Sequence, residues 1–234
     1  MAPAKASRIS SGKGPHGGRW GTRPYEHHPW VQTAQVMAAA TMVLPILAST
    51  TVVRQSDCKS GILDGSPTAI GCLSFLCIAP GSMVNHLAHA LHRRWVPTLQ
   101  KLDRTGIAVS CILGCWAFTQ HRIIAATVAI GVGVLMWIMF FSPSRIRDDE
   151  NMATTCVGVL VLVNSAAAFY GGFDLNAVLS LSCIVVGLLL FNLDSLGVWT
   201  DPIWHLLITG FAFFNARCAV AIEHRLYGTC ELHL

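Results

Sequence analysis

From residue 31 onward the chain alternates long apolar runs with short polar interruptions. The runs lie roughly over 31–53, 67–92, 104–120, 122–142, 153–171, 174–193 and 202–221. A helix crosses the hydrocarbon core with ~17 to 25 residues, so every run is long enough to span a bilayer. Two interruptions, Gln120-His121-Arg122 and Gly171-Gly172-Phe173-Asp174, leave room only for tight turns between antiparallel neighbours. The pattern predicts an all-α, polytopic bundle of seven transmembrane helices over 31–222, with no separate soluble domain. Residues 1–30 contain much Gly, Pro, Ser and Arg and no apolar stretch, which predicts a disordered basic tail. Residues 223–234 are expected to form a short C-terminal tail. A basic, acid-poor leader also suits a transit peptide, but the first apolar run is long and lacks a small-residue cleavage site.

Composition agrees with the pattern. Of 234 residues 53% are hydrophobic and 12% charged, with mean hydropathy +0.54, whereas a soluble domain carries about 25% charged residues. Too little polar surface remains to coat a water-soluble globule. The net charge of +4 does not point to nucleic acid, because the basic residues sit in the tail and the loops without interleaved aromatics. Nine cysteines without CxxC spacing argue against a zinc ribbon. Most lie inside apolar runs and behave as small hydrophobes.

Charge sets the expected orientation. With the N-terminus cytosolic, that side collects Lys5, Arg8, Lys13, Arg19, Arg23, Arg93, Arg94, Lys101, Arg104, Arg145 and Arg147, leaving Arg54, Lys59, Arg122, Arg217 and Arg225 opposite. The positive-inside rule therefore predicts N-terminus in and C-terminus out. Cys58 and Cys230 fall on the non-cytosolic side, where an oxidising lumen permits a disulfide; spacing alone leaves the pairing open.

Ionisable groups at membrane depth are costly, so the few present are candidates for function. The second run ends Ser82-Met83-Val84-Asn85-His86-Leu87-Ala88-His89, with Ser82 and His86 one turn apart on one face. The third opens Leu102-Asp103-Arg104-Thr105-Gly106-Ile107, and the seventh opens Asp201-Pro202-Ile203-Trp204-His205, where Asp201 and His205 are again one turn apart. Even-numbered runs end, and odd-numbered runs begin, on the cytosolic side. Ser82, His86, Asp103, Asp201 and His205 therefore share one membrane depth. Two imidazoles and a carboxylate with an open fourth position suit a catalytic zinc, which lowers the pKa of bound water towards about 7.

Ser-x3-His late in the second run, an Asp in the LDxxGI opening of the third and Trp-His-Leu-Leu opening the seventh resemble the CREST superfamily. That group of seven-helix membrane proteins includes alkaline ceramidases, progestin and adiponectin receptors, haemolysin III-like proteins and GPI-lipid remodelling proteins. The resemblance covers the membrane region and excludes the tail. It implies a zinc site near one membrane face and, in several members, amidase or lipid-hydrolase activity. By position His86 matches the ligand of the second helix and His205 the second His of an H-x3-H pair. Asp201 stands where the first His of that pair would be, keeping the one-turn spacing and an oxygen ligand. Ser82 and Asp103 match the accompanying Ser and Asp.

Each residue also has an ordinary structural explanation. Asp201 before Pro202 is a helix N-cap followed by Pro at the first helical position. His89 is an alternative third ligand, offset ~60° around the helix from His86. Ser82 could bond the carbonyl one turn back, and Asp103 beside Arg104 could be a solvated charge or a cap. Gly131, Gly133 and the run Ser165-Ala166-Ala167-Ala168 suit close helix contact; Trp137, Trp199 and Trp204 suit interface anchors; His16, His27 and His28 lie in the tail. Two functions follow. One is a multi-pass, zinc-dependent hydrolase of a lipid amide or ester, with His86, Asp201 and His205 as ligands and Ser82 and Asp103 catalytic. The other is a non-enzymatic lipid-sensing receptor or structural membrane protein using the same metal site. A transporter is disfavoured because the polar residues cluster at one face rather than the midplane. The expected partners are membrane lipids and a lipid substrate or ligand.

Overall fold

The computed structural model describes residues 30–58, 65–91, 96–141, 150–172, 174–193 and 196–228. Among these the chain is helical, with no strand. The elements are α1 (Val31–Thr41), α2 (Val43–Arg54), α3 (Pro67–Leu91), α4 (Val96–Thr119), α5 (Arg122–Phe141), α6 (Glu150–Gly171), α7 (Leu175–Leu193) and α8 (Thr200–Tyr227), with a 3-10 turn at Gly197–Trp199 before α8. Most of the expected tails, together with Cys230, Arg93, Arg94, Arg145 and Arg147, lie outside the described residues. Two elements outrun the expected runs: α4 begins at Val96, and α8 continues to Tyr227, where Gly228 ends it in the left-handed conformation (φ 64°).

The first run is one rod with a break at Met42, and the break has a local cause. Pro45, in the first turn of α2, has no N–H for the Thr41 carbonyl, and its ring crowds that carbonyl, which interrupts a helix. The Met42 N–H turns to Ala39 O at 3.3 Å instead of reaching Ala38. The carbonyl of Ala38 is thereby released from the helical ladder. It is used in the site described below.

Helices α3 and α4 form the closest antiparallel pair, and two glycines set their distance. A Cβ at Gly106 would lie 2.5 Å from the Cys77 carbonyl oxygen, and one at Gly81 would lie 3.0 Å from the Asp103 Cα. Backbone therefore packs on backbone, as small residues allow in lipid, and the end of α3 is carried against the start of α4. Helix α8 is central, packing on α1, α2, α3 and α7, while α4 also packs on α6 and α5. Gly131 and Gly133, expected at a contact, instead face open space. Their helix, α5, is outermost: only 11% of its apolar window is buried, and Ile123, Ile130 and Phe141 are each more than 70% exposed. The Ser165–Ala168 run does pack, with Ala167 and Ala168 in a cluster with Cys115, Phe118, Ala177 and Cys218.

Four helical stretches among the described residues are long and apolar enough to cross a membrane: Val31–Arg54, Pro67–Leu91, Arg122–Phe141 and Gly197–Tyr227. Thr155–Gly171 and Leu175–Leu190 are shorter apolar stretches. Helix α4 has 24 residues, but its first turns carry Gln100, Lys101, Asp103 and Arg104. An all-helical chain with this apolar exterior fits a bilayer as its solvent.

Candidate functional site

The cavity that contains the expected site is bounded by one stripe from each of several helices. On α4 the stripe is Gln100, Asp103, Arg104, Ile107, Ser110 and Cys111; on α8 it is Asp201, Trp204, His205, Ile208 and Phe211. Both follow the three- and four-residue spacing of a single helical face. Helix α3 adds Ile78, Ser82, Asn85 and His86, and α6 adds Val157, Leu160, Val161 and Asn164. About 1170 Å³ of space lies between them, the open mouth included. Polar groups crowd the end formed by the close of α3 and the starts of α4 and α8. The remainder is lined mainly by aliphatic side chains.

All five expected residues, Ser82, His86, Asp103, Asp201 and His205, line this cavity. The rings of His86 and His205 meet edge to face, with centroids 4.7 Å apart and planes at 78°, and both residues are only 4% exposed. His205 Nδ1 lies 2.8 Å from the released Ala38 carbonyl. A carbonyl only accepts, so Nδ1 carries the proton and donates, and Nε2 is the basic nitrogen of the ring. Thr41 supports the arrangement, donating to Ala38 O at 2.9 Å with its oxygen 3.4 Å from His205 Nδ1.

A chain of hydrogen bonds fixes the other imidazole through Gln35. Its Nε2 donates to Asp201 Oδ2 at 2.7 Å, while its Oε1 lies 2.7 Å from His86 Nδ1. A carboxylate can only accept, which turns the amide NH₂ towards Asp201 and the amide oxygen towards His86. His86 must then donate from Nδ1, so it has the same tautomer as His205. A ligating histidine is ordinarily held in this way by a carbonyl on its second nitrogen.

Asp103 sits at the α3–α4 contact. Asn85 Nδ2 donates to its Oδ2 at 3.4 Å, and Ser82 lines the same cavity. The other carboxylate oxygen, Asp103 Oδ1, and the amide oxygen, Asn85 Oδ1, are buried without a hydrogen-bond partner. Gln100 and Arg104 line the same mouth and bring donors beside these acceptors.

His89 is half-buried and does not line the cavity, because it points a further part of a turn round α3. Trp204 is part of the cavity wall; its ring lies over Gly187, where a Cβ would come within 2.6 Å of it. Among the described residues no three His, Cys, Asp or Glu side chains are gathered tightly enough to hold one ion. The two imidazoles converge, while the Asp201 carboxylate is engaged by Gln35.

Gln35, Asn85, Thr41 and Asn164 were not anticipated as site residues. Their signal was weak but present, since each is an uncharged polar side chain set in an otherwise apolar run, where polarity needs a reason. No family model, no curated protein and no solved structure matches the chain.

Proposed function

We propose that this chain is a multi-pass membrane hydrolase of a lipid amide or ester, dependent on zinc held by His86, His205 and Asp201, and related to the CREST superfamily. The observation that supports it best is the meeting of two buried imidazoles whose Nδ1 atoms are both committed to carbonyls, at the polar end of an apolar cavity. The basic nitrogen of each ring is then Nε2, the atom that would bind an ion. Asp201 is engaged by Gln35 and is not gathered with the two imidazoles, so as the third ligand it would have to move towards them.

Zinc held by His86, His205 and Asp201 would supply Lewis acidity and a nucleophile at neutral pH. The chain's own residues do the rest. The Asp103 carboxylate takes a proton from the attacking water and returns it to the leaving amine or alcohol. Ser82 donates a hydrogen bond to the oxygen that becomes negative. The aliphatic wall of the cavity takes the acyl chain and keeps bulk water out.

A seven-span bundle with a cytosolic N-terminus is part of the proposal. Among the described residues there are seven helical rods when α1 and α2 count as one. Cys58 is disulfide-bonded, and the expected partner, Cys230, lies outside the described residues. Cys58 follows α2, at the end of the bundle opposite the polar mouth, so an oxidising compartment there supports a cytosolic mouth.

One observation favours the non-enzymatic alternative, a lipid-sensing receptor or structural protein: Asp201, His86 and Gln35 already satisfy one another without an ion. The experiment that separates the readings is metal analysis and turnover on the same purified sample. Hydrolase activity predicts roughly stoichiometric zinc, release of fatty acid from an N-acyl lipid, and loss of both in His205→Ala. Metal-free protein of undiminished stability would contradict the metal site, and zinc without turnover of any acyl lipid would favour the receptor.

A further inference from the structure

The cavity is open at its polar mouth and closed at its apolar end. The lining residues furthest from the mouth are Ile78 on α3, Cys111 on α4, Asn164 on α6 and Phe211 on α8. One turn beyond them, on the same helical faces, stand Phe75, Cys115, Ala168 and Asn215, none of which lines the cavity. All four are only 1–2% exposed, so packed protein lies beneath the cavity. Phe211 is the largest side chain of this floor. Its ring meets that of Phe75 edge to face with centroids 5.9 Å apart, and Ile184 of α7 packs into the same cluster.

The depth follows from residues that line the cavity at both ends. Gln100 to Cys111 on α4 and Asp201 to Phe211 on α8 each rise about 15 to 17 Å from mouth to floor, at ~1.5 Å per residue. From His205 to Phe211 the rise is about 9 Å. A straight acyl chain, with bonds of ~1.5 Å meeting at ~111°, advances about 1.25 Å per carbon. A chain whose carbonyl lies at the histidines therefore meets the floor after no fewer than about seven carbons and no more than about thirteen.

We propose that the cavity measures acyl-chain length and that Phe211 is the specificity-determining residue that stops the chain. The ligand class is a lipid amide or ester with a medium-length acyl chain of about eight to twelve carbons. The inference rests on the cavity being a lipid site, as in the function proposed above, but not on hydrolysis. Each methylene up to the floor leaves water for an aliphatic wall. A methylene beyond it has no wall to meet.

The test uses full-length protein in detergent and three amides of one amine, carrying octanoyl, dodecanoyl and hexadecanoyl chains. Affinities are read by displacement of a fluorescent decanoyl amide and referred to free ligand in water. A buried methylene is worth up to about fourfold, so the wild type should bind dodecanoyl at least about tenfold more tightly than octanoyl. Hexadecanoyl should bind no more tightly than dodecanoyl. Phe211→Ala removes the floor and should let hexadecanoyl bind about tenfold more tightly than dodecanoyl. Ile208→Phe, one turn nearer the mouth on the same wall, should bring dodecanoyl down to about the affinity of octanoyl. Affinity that climbs steadily through hexadecanoyl in the wild type would overturn the proposal, as would a break that neither variant moves. Should Phe211→Ala fail to fold, the wild-type series and Ile208→Phe decide. Hydrolysis of all three amides without a break overturns only the measuring of length. A break without hydrolysis upholds it and removes the enzyme reading.

Discussion

Gln35 is the residue on which the chemistry of the mouth turns, because its amide can satisfy Asp201 and His86 only in one orientation. Gln35→Ala removes the amide that Asp201 Oδ2 and His86 Nδ1 both bond, which should cost about 1–3 kcal/mol of stability, measurable as a lower melting temperature in detergent. It should also weaken zinc binding by about 10- to 100-fold, as removal of a partner behind a ligand does. Gln35→Glu is the sharper variant: its carboxylate keeps an acceptor for His86 Nδ1 but faces Asp201 with like charge, so stability should fall further than in the alanine variant. Unchanged metal affinity in both would show that the tautomer of His86 is not held by this amide. The two histidines and the two aspartates were legible in the sequence because charge or imidazole in an apolar run is conspicuous. Gln35 was not, since an amide four residues into the first run reads as an interfacial residue until its partners are seen.

Among the elements, the rod of α1 and α2 and the pair of α3 and α4 do the positioning, and each yields a test. Pro45→Ala restores an N–H to the ladder and should by itself favour the helix, since interior proline costs about 3 kcal/mol. It should nevertheless weaken the site: a straightened rod returns the Ala38 carbonyl to Met42 and takes it from His205. The expected result is an unchanged or higher melting temperature with roughly tenfold weaker metal binding. Gly106→Ala should behave in the opposite sense, destabilising the whole bundle by about 1–3 kcal/mol because the methyl meets the Cys77 carbonyl oxygen. Gly131→Ala serves as the control and should change stability by no more than about 0.5 kcal/mol, since its Cβ would meet nothing. The runs themselves were readable from hydropathy. Which glycines mediate contact was not, because whether Gly106 or Gly131 meets a neighbour depends on which way its helix faces.

At the scale of the whole molecule, six of the seven rods among the described residues, all but α5, line a cavity that is polar at the end where α4 and α8 begin and mainly apolar along its length. The prediction that five residues from three distant segments would share one depth came from topology alone, and all five line that cavity. What topology could not supply was the state of Asp201, which depends on a side chain from a fourth segment. The disulfide at Cys58 carries its own expectation: Cys58→Ser should cost about 2–4 kcal/mol, read as a lower melting temperature that reducing agent reproduces in the wild type. The central claim, that His86 and His205 hold one ion, is tested most directly by X-ray absorption at the zinc edge on the purified protein. The account predicts roughly one zinc per chain with two imidazole nitrogens at ~2.0 to 2.1 Å and oxygen at ~2.0 to 2.2 Å, the imidazole signal falling in His86→Ala. Zinc absent from stable protein, or zinc whose imidazole signal survives that substitution, would contradict it.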